Sequence, residues 1–141
     1  MDIEIVKEEQ YVVFKPSGIE LNDEITAKIE KSIAGFYGSE GRINFIFDLL
    51  GISSISDSAV KLFQKVQKIC ANESGLFVLV NTNDDLIDEV SGKCEQFILF
   101  LPSVEEAIDG VFMNELENDF KDEHEDEFGG SGENDYWNLK M

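Results

Sequence analysis

Apolar residues along the chain alternate between the two-residue period of strands and the wider period of helices. The clearest strand pattern spans residues 43–50, where both sides of the strand carry apolar side chains: Ile43, Phe45, Phe47 and Leu49 on one side, Ile46 and Leu50 on the other. A strand that is apolar on both faces is typical of a sheet interior. This pattern therefore predicts a central strand that is covered on both faces.

A serine-rich loop and an amphipathic helix follow this strand. Gly51 ends the apolar run, and apolar residues then recur at helical spacing, namely Ala59, Leu62, Phe63, Val66, Ile69 and Cys70. Either Ser56 or Asp57 is the predicted N-cap, and Ser58 lies in or beside the first turn. Free backbone N–H groups and the positive end of the helix dipole gather at this position.

The remaining patterns complete an alternating order of strands and helices. Further strands are predicted within residues 3–5, 11–14, 76–80 and 97–101, and further helices within 21–36, 86–91 and 103–112. Gly35, Gly38 and Gly41 are predicted to end the first helix. The first two strands are expected to form a hairpin, and the later ones to be parallel and joined by right-handed crossovers. The order predicts an α/β domain with a mixed, mainly parallel five-stranded sheet and about four helices.

The composition changes after the last helical pattern. Residues 1–120 are predicted to form one domain, and residues 121–141 an acidic, disordered tail that contains the glycine-rich segment 129–132. Tyr136, Trp137 and Leu139 near the end could dock on a partner or on the domain, or be incidental. The pattern leaves these alternatives open.

Charge limits the classes of partner. The formal net charge of −19 argues against binding to nucleic acid or to an anionic membrane surface, because both are polyanions. No apolar stretch approaches the ~18 residues of a membrane span, and the N-terminus lacks the pattern of a signal peptide. We therefore expect a soluble, cytoplasmic protein with protein partners. The sequence does not predict the oligomeric state.

Catalytic and metal-binding patterns are weak. His124 is the single histidine and lies in the acidic tail, so the domain has no Ser-His-Asp or Cys-His arrangement. Asp48 is expected to bond backbone at the strand end, and Cys70 and Cys94 are expected to be reduced thiols. The acidic run 122–127 is interpreted as a solvated charge run, because it lacks the ligand spacing of a calcium loop. We expect no enzymatic activity, no cofactor and no metal.

The segment Ile46-Phe47-Asp48-Leu49, followed by Ile52-Ser53-Ser54-Ile55-Ser56-Asp57-Ser58, resembles the signature of the STAS domain. This is the module of anti-sigma factor antagonists and of the cytoplasmic tails of sulfate transporters. The resemblance implies that the helices lie mainly on one face of the sheet. It also implies that Ser58 matches the serine which a partner kinase phosphorylates to switch partner binding off.

The resemblance also places a partner-binding segment, formed by Ser54, Ile55, Ser56, Asp57, Ser58, Ala59 and Val60. Many members of the family carry glycine at the position of Val60. The valine side chain is expected to fill the space through which a partner would approach the backbone.

Three functions follow from these patterns. The leading one is an anti-sigma factor antagonist-like interaction module that binds an anti-sigma factor or a serine-kinase-like regulator. A second is a STAS-like structural subunit of a larger assembly, such as a transport complex, in which Ser58 is never modified. A third is a small enzyme or ligand-binding domain that uses the crevice at the carboxyl ends of the parallel strands.

Overall fold

The computed structural model describes residues 3–128, with side chains described from residue 3 to residue 120. The elements in chain order are β1 (Ile3–Lys7), β2 (Val12–Pro16), β3 (Glu20–Leu21), α1 (Asp23–Glu40), β4 (Phe45–Asp48), β5 (Ser54–Ile55), α2 (Asp57–Asn72), β6 (Phe77–Val80), α3 (Asp84–Lys93), β7 (Leu99–Leu101) and α4 (Val104–Phe128). None of these helices is both long enough and apolar enough to cross a membrane.

Five of the strands form one mixed sheet in the order β1-β2-β4-β6-β7. β1 and β2 are antiparallel, with Ile5 opposite Phe14, so the predicted hairpin is present. β2, β4, β6 and β7 are parallel to one another, which confirms the predicted α/β class with its mainly parallel sheet. β4 occupies the centre, as its apolar pattern indicates.

Helices cover both faces of the sheet, with α1, α2 and α3 on one face and α4 on the other. The alternate residues Phe14, Phe47 and Leu79 point into a core shared with α1, α2 and α3. Their neighbours in the strands point to the opposite face, where Ala107 and Val111 of α4 cover them. Each central strand is therefore buried on both sides, as its apolar sequence predicts.

Several element boundaries differ from the sequence predictions. α1 continues through Gly35 and Gly38 to Glu40, and Gly41 is the C-cap with φ 69°. Both internal glycines are exposed, so the helix passes them at a modest conformational cost while its apolar side stays packed. β7 begins at Leu99 instead of residue 97.

The last helix is longer than its apolar pattern suggested. α4 continues to Phe128, past the residue at which the acidic tail is predicted to begin. The predicted disorder of the glycine-rich segment 129–132, and the aromatic cluster at Tyr136 and Trp137, lie outside the described residues.

The two cysteine thiols are free, as expected, and Cys70 is buried in the core. Burial raises the pKa of the Cys70 thiol to about 12, so it stays protonated at pH 8 to 9, where an unfolded cysteine begins to ionise.

In a Cys94→Ser background we expect iodoacetamide to alkylate Cys70 only when the domain opens. Addition of urea should raise the labelling rate by orders of magnitude, as read by intact mass. Rapid labelling of the native protein would contradict the buried placement of Cys70.

Candidate functional site

A second, two-stranded sheet brings the starts of two helices together. β3 pairs in parallel with β5, with Glu20 opposite Ser54 and Leu21 opposite Ile55. Each of these short strands leads directly into a helix, β3 into α1 and β5 into α2. The N-termini of α1 and α2 therefore lie side by side, with the positive ends of both helix dipoles on the same side.

The start of α2 has a defined cap. Ser56 is the N-cap, and its Oγ accepts a hydrogen bond from the backbone N–H of Ala59 at 3.2 Å. Asp57 is the first helical residue, so of the two candidate caps the structure assigns Ser56. The Asp57 side chain is 87% exposed and pairs with Lys93 of α3 at 3.3 Å. The hydrogen bonds to Asp57 and Glu89 raise the pKa of Lys93.

Ser58 lies between the two helix starts. Its hydroxyl donates to Oδ1 of Asp23 in the first turn of α1 at 2.6 Å. Its Oγ also lies 2.9 Å from Oγ of Ser56. Because Ser58 donates to the carboxylate, Ser56 is the donor in the second contact, and the hydroxyls form a chain that ends on Asp23. Ser58 itself is partly exposed.

Not all residues of the predicted partner-binding segment reach the surface. Ser54 and Asp57 are exposed, and Ser56 and Ser58 are partly exposed. Three members are instead buried in the core, namely Ile55, Ala59 and Val60.

The expectation that the Val60 side chain fills space at the partner-facing surface is wrong. Its side chain is 4% exposed and belongs to the core cluster, so it does not fill space above the partner-facing surface. The physical reason is that α2 packs against α1 as well as against the sheet. The buried side of α2 is therefore wider than a stripe that faces the sheet alone.

Two exposed apolar residues beside this site were not identified from the sequence. Ile19 is 69% exposed and Leu50 is 49% exposed. They lie on the loops that follow the parallel strands β2 and β4, hence at the same edge of the sheet. The loops are tied together, because the N–H groups of Ser53 and Ser54 both donate to the Ile19 carbonyl, at 2.8 and 3.3 Å. The sequence pattern places Leu50 on the second apolar side of the central strand, but that strand ends at Asp48.

Asn81 fixes the loop that leads from β4 toward the site. Its side chain is buried at 3% exposure, and its Nδ2 donates to the Leu49 carbonyl at 2.7 Å. Its Oδ1 accepts from the N–H of Asn83 at 2.7 Å. Oδ1 of Asp48 accepts a hydrogen bond from the backbone N–H of Leu50 at 3.3 Å, as expected for a carboxylate at a strand end. These contacts give the loop before β5 a fixed path.

Metal chemistry has no support in the part of the chain that the structure describes. No three His, Cys, Asp or Glu side chains there come close enough together to hold a metal ion. The acidic run 122–127 lies in α4, in the part of the helix whose side chains are not described.

The contact between Ser58 and Asp23 leads to a stability prediction. Ser58→Asp places two carboxylates in contact across the helix starts, a repulsion of about 1 to 4 kcal/mol near a protein surface. The helix dipole offsets roughly 0.3 to 1 kcal/mol of it. We therefore expect a net loss of about 1 kcal/mol in the free energy of unfolding, measured in urea.

Asp23→Asn supplies the second arm of a double-mutant cycle. In that background Ser58→Asp should cost almost nothing, because the opposing charge is gone. If Ser58→Asp lowers the free energy of unfolding equally in the native and Asp23→Asn backgrounds, the side chains at positions 23 and 58 do not interact.

Comparison with known proteins gives matches only at the level of structure. No protein-family model and no curated protein matches the sequence. The anti-sigma factor antagonist SpoIIAA in its unphosphorylated form matches with a TM-score of 0.65 and 19% identity, over 78% of this chain and 97% of that chain. The phosphorylated form of SpoIIAA, a Bacillus cell fate determinant, matches with a TM-score of 0.62 and 19% identity, over 78% and 99% of the two chains.

A transporter domain has the same architecture. The murine anion transporter Solute Carrier 26 family member A9 matches 74% of this chain with a TM-score of 0.56 and 16% identity, over 18% of the transporter. The matches to SpoIIAA and to this transporter together show that the chain has a STAS-like fold.

Proposed function

We propose that this chain is an anti-sigma factor antagonist-like interaction module, controlled by phosphorylation of Ser58 and without catalytic activity of its own. Its partner is an anti-sigma factor or a related serine-kinase-like regulator. The structural match to SpoIIAA, an anti-sigma factor antagonist with an unphosphorylated and a phosphorylated form, supports this proposal.

The observation that carries the proposal is the environment of Ser58. The hydroxyl is partly exposed at a helix start, so a kinase reaches it by opening two side-chain hydrogen bonds, to Asp23 and to Ser56. A phosphate attached there lies near the free N–H groups of the α2 terminus, which stabilise negative charge. The same phosphate adds nearly two negative charges beside Asp23 and Asp57.

The neighbouring surface suits a protein partner. Ile19 and Leu50 supply exposed apolar area, and Ser54 and Asp57 supply exposed polar groups near it. An apolar centre with a polar rim is the usual composition of an interface. Phosphorylation changes the charge of the rim next to this apolar area, so it acts on partner affinity without a change of fold.

The test is capture of the tagged, full-length chain from its own cells, followed by phosphosite mapping. The recovered kinase and ATP should then transfer one phosphate to the purified chain, as measured by intact mass, and peptide mapping should place it on Ser58. Ser58→Ala should abolish the transfer.

Ser39→Ala is the matched control, because Ser39 is an exposed serine in the last turn of α1, away from the predicted partner-binding segment, and should leave the transfer intact. A phosphate that maps to another serine would refute the assignment of Ser58. Recovery of the chain only as an unmodified, stable subunit of a large complex would favour the structural-subunit function instead.

A further inference from the structure

Helix α4 uses one of its sides to cover the sheet. Ala107 and Val111 are fully buried in the cluster on that face. Polar contacts fix the rotation of the helix, because Nδ2 of Asn114 and of Asn118 both donate to the Ser74 carbonyl, at 2.9 and 2.8 Å. These contacts therefore define which residues of α4 face the sheet and which face away from it.

The side that faces away is also apolar. Phe112, Met113 and Leu116 are 47%, 58% and 64% exposed, and we call these three residues the α4 stripe. Leu116 follows Phe112 by four residues and Met113 by three, so their side chains share one surface of the helix. A helix that packs on a sheet ordinarily carries polar residues on its outer side. One edge of Phe112 packs against Tyr11, with ring centroids 6.2 Å apart, which anchors that end of the stripe.

Carboxylates surround the α4 stripe. Asp109, Glu117 and Asp119 are exposed in the turns before and after it, and Glu105 and Glu106 are exposed at the helix start. Between residues 104 and 120 the helix contains no lysine or arginine. The stripe is therefore an apolar strip in a strongly negative rim.

From this charge pattern we infer that the α4 stripe is a docking surface for a cationic amphipathic helix of a protein partner. Such a helix places apolar side chains on the stripe and Lys or Arg opposite the rim, the helix-against-helix form of peptide recognition. A second copy of this chain would bring its own carboxylates against the same rim, and an anionic lipid surface would also be repelled. Residues 129–141 carry two acidic residues and one lysine, so they too lack the complementary charge.

The probe is a fluorescein-labelled Leu/Lys peptide of about 14 residues, which is four helical turns, with leucines at helical spacing. Binding to the full chain is read by anisotropy at physiological salt. The double variant Met113→Ser, Leu116→Ser leaves the net charge unchanged and should weaken binding at least ~10-fold, because two apolar side chains no longer bury on the peptide.

The matched control is Ile5→Ser. Ile5 is 39% exposed in the edge strand β1 and lies opposite Phe14, on the face of the sheet that α4 does not cover, so affinity should stay within about twofold. A second variant removes the rim, Glu117→Gln with Asp119→Asn, and should weaken binding and flatten its salt dependence. A scrambled peptide of equal charge should bind as weakly to the native chain as the probe binds to the stripe variant.

Three results would overturn the inference. Equal affinities for the stripe variant, the control variant and the native chain would mean that only net charge attracts the peptide. A dimer in sedimentation equilibrium that the stripe variant dissociates would assign the stripe to a second copy. Trp137 is the only tryptophan, so a red shift of its emission in the stripe variant without peptide would assign the stripe to the chain's own terminal segment.

Discussion

Phe47→Ala is expected to lower the free energy of unfolding by about 3 to 5 kcal/mol, the range for truncation of a buried aromatic residue. Phe47 is fully buried in β4, the middle strand of the sheet. Its ring packs at centroid distances of 5.5, 5.8 and 5.0 Å against Phe14, Phe63 and Phe77. These three rings come from two neighbouring strands and from α2, so they cannot all collapse into the vacated space.

The measurement is urea unfolding with circular dichroism, and Phe97→Ala is the control for loss of a phenyl ring. Phe97 is 79% exposed, so its truncation should change stability by less than about 0.5 kcal/mol. A loss below about 1 kcal/mol for Phe47→Ala would mean that β4 is not the centre of the core.

The central part of the fold was predictable because its signals are local. The alternation around Phe47 fixes which side chains share a face, and the helical spacing that follows fixes the buried side of α2. Asn22 and Ser56 cap their helices through hydrogen bonds to residues three positions later, a relation that can be read from neighbouring sequence.

The site was less predictable because its contacts join distant parts of the chain. Asp23 and Ser58 meet because α1 packs against α2 and because β3 pairs with β5, two strands of two residues each. Strands this short have no periodicity to detect. Val60 was misplaced for a related reason, since its burial results from tertiary packing of α2 in the core. Val60→Gly would therefore open a cavity in the core and is not a clean test of partner approach.

The outer side of α4 could not be predicted from the sequence for a different reason. The sequence pattern alone predicts one apolar face made of Val104, Ala107, Ile108, Val111 and Phe112, and Leu116 continues the same spacing. In the structure Val111 is fully buried, whereas Phe112 and Leu116 are about half exposed or more. Apolar residues on two opposite sides of one helix look like a single face until a neighbouring element fixes the rotation of the helix.

The effect of charge at position 58 on partner binding should be larger than its effect on folding. Ser58→Asp is expected to weaken binding to the captured regulator at least ~100-fold, because burial of an unpaired charge at an interface costs several kcal/mol. Asp23 already places a negative charge beside Ser58, and the nearby Lys93 is paired with Asp57 and Glu89. Ser58→Ala removes only a hydroxyl and should bind within about threefold of the native chain.

Titration calorimetry on the native chain and both variants measures this difference, with Ser39→Asp as the matched control. Ser39 is exposed in the last turn of α1, at the opposite end of the helix from Asp23, so an added charge there should leave affinity unchanged. The comparison separates charge at the interface from net charge, because both Asp variants carry the same total charge. Equal affinities for Ser58→Asp and Ser58→Ala would refute the phosphorylation switch while leaving the STAS-like fold untouched.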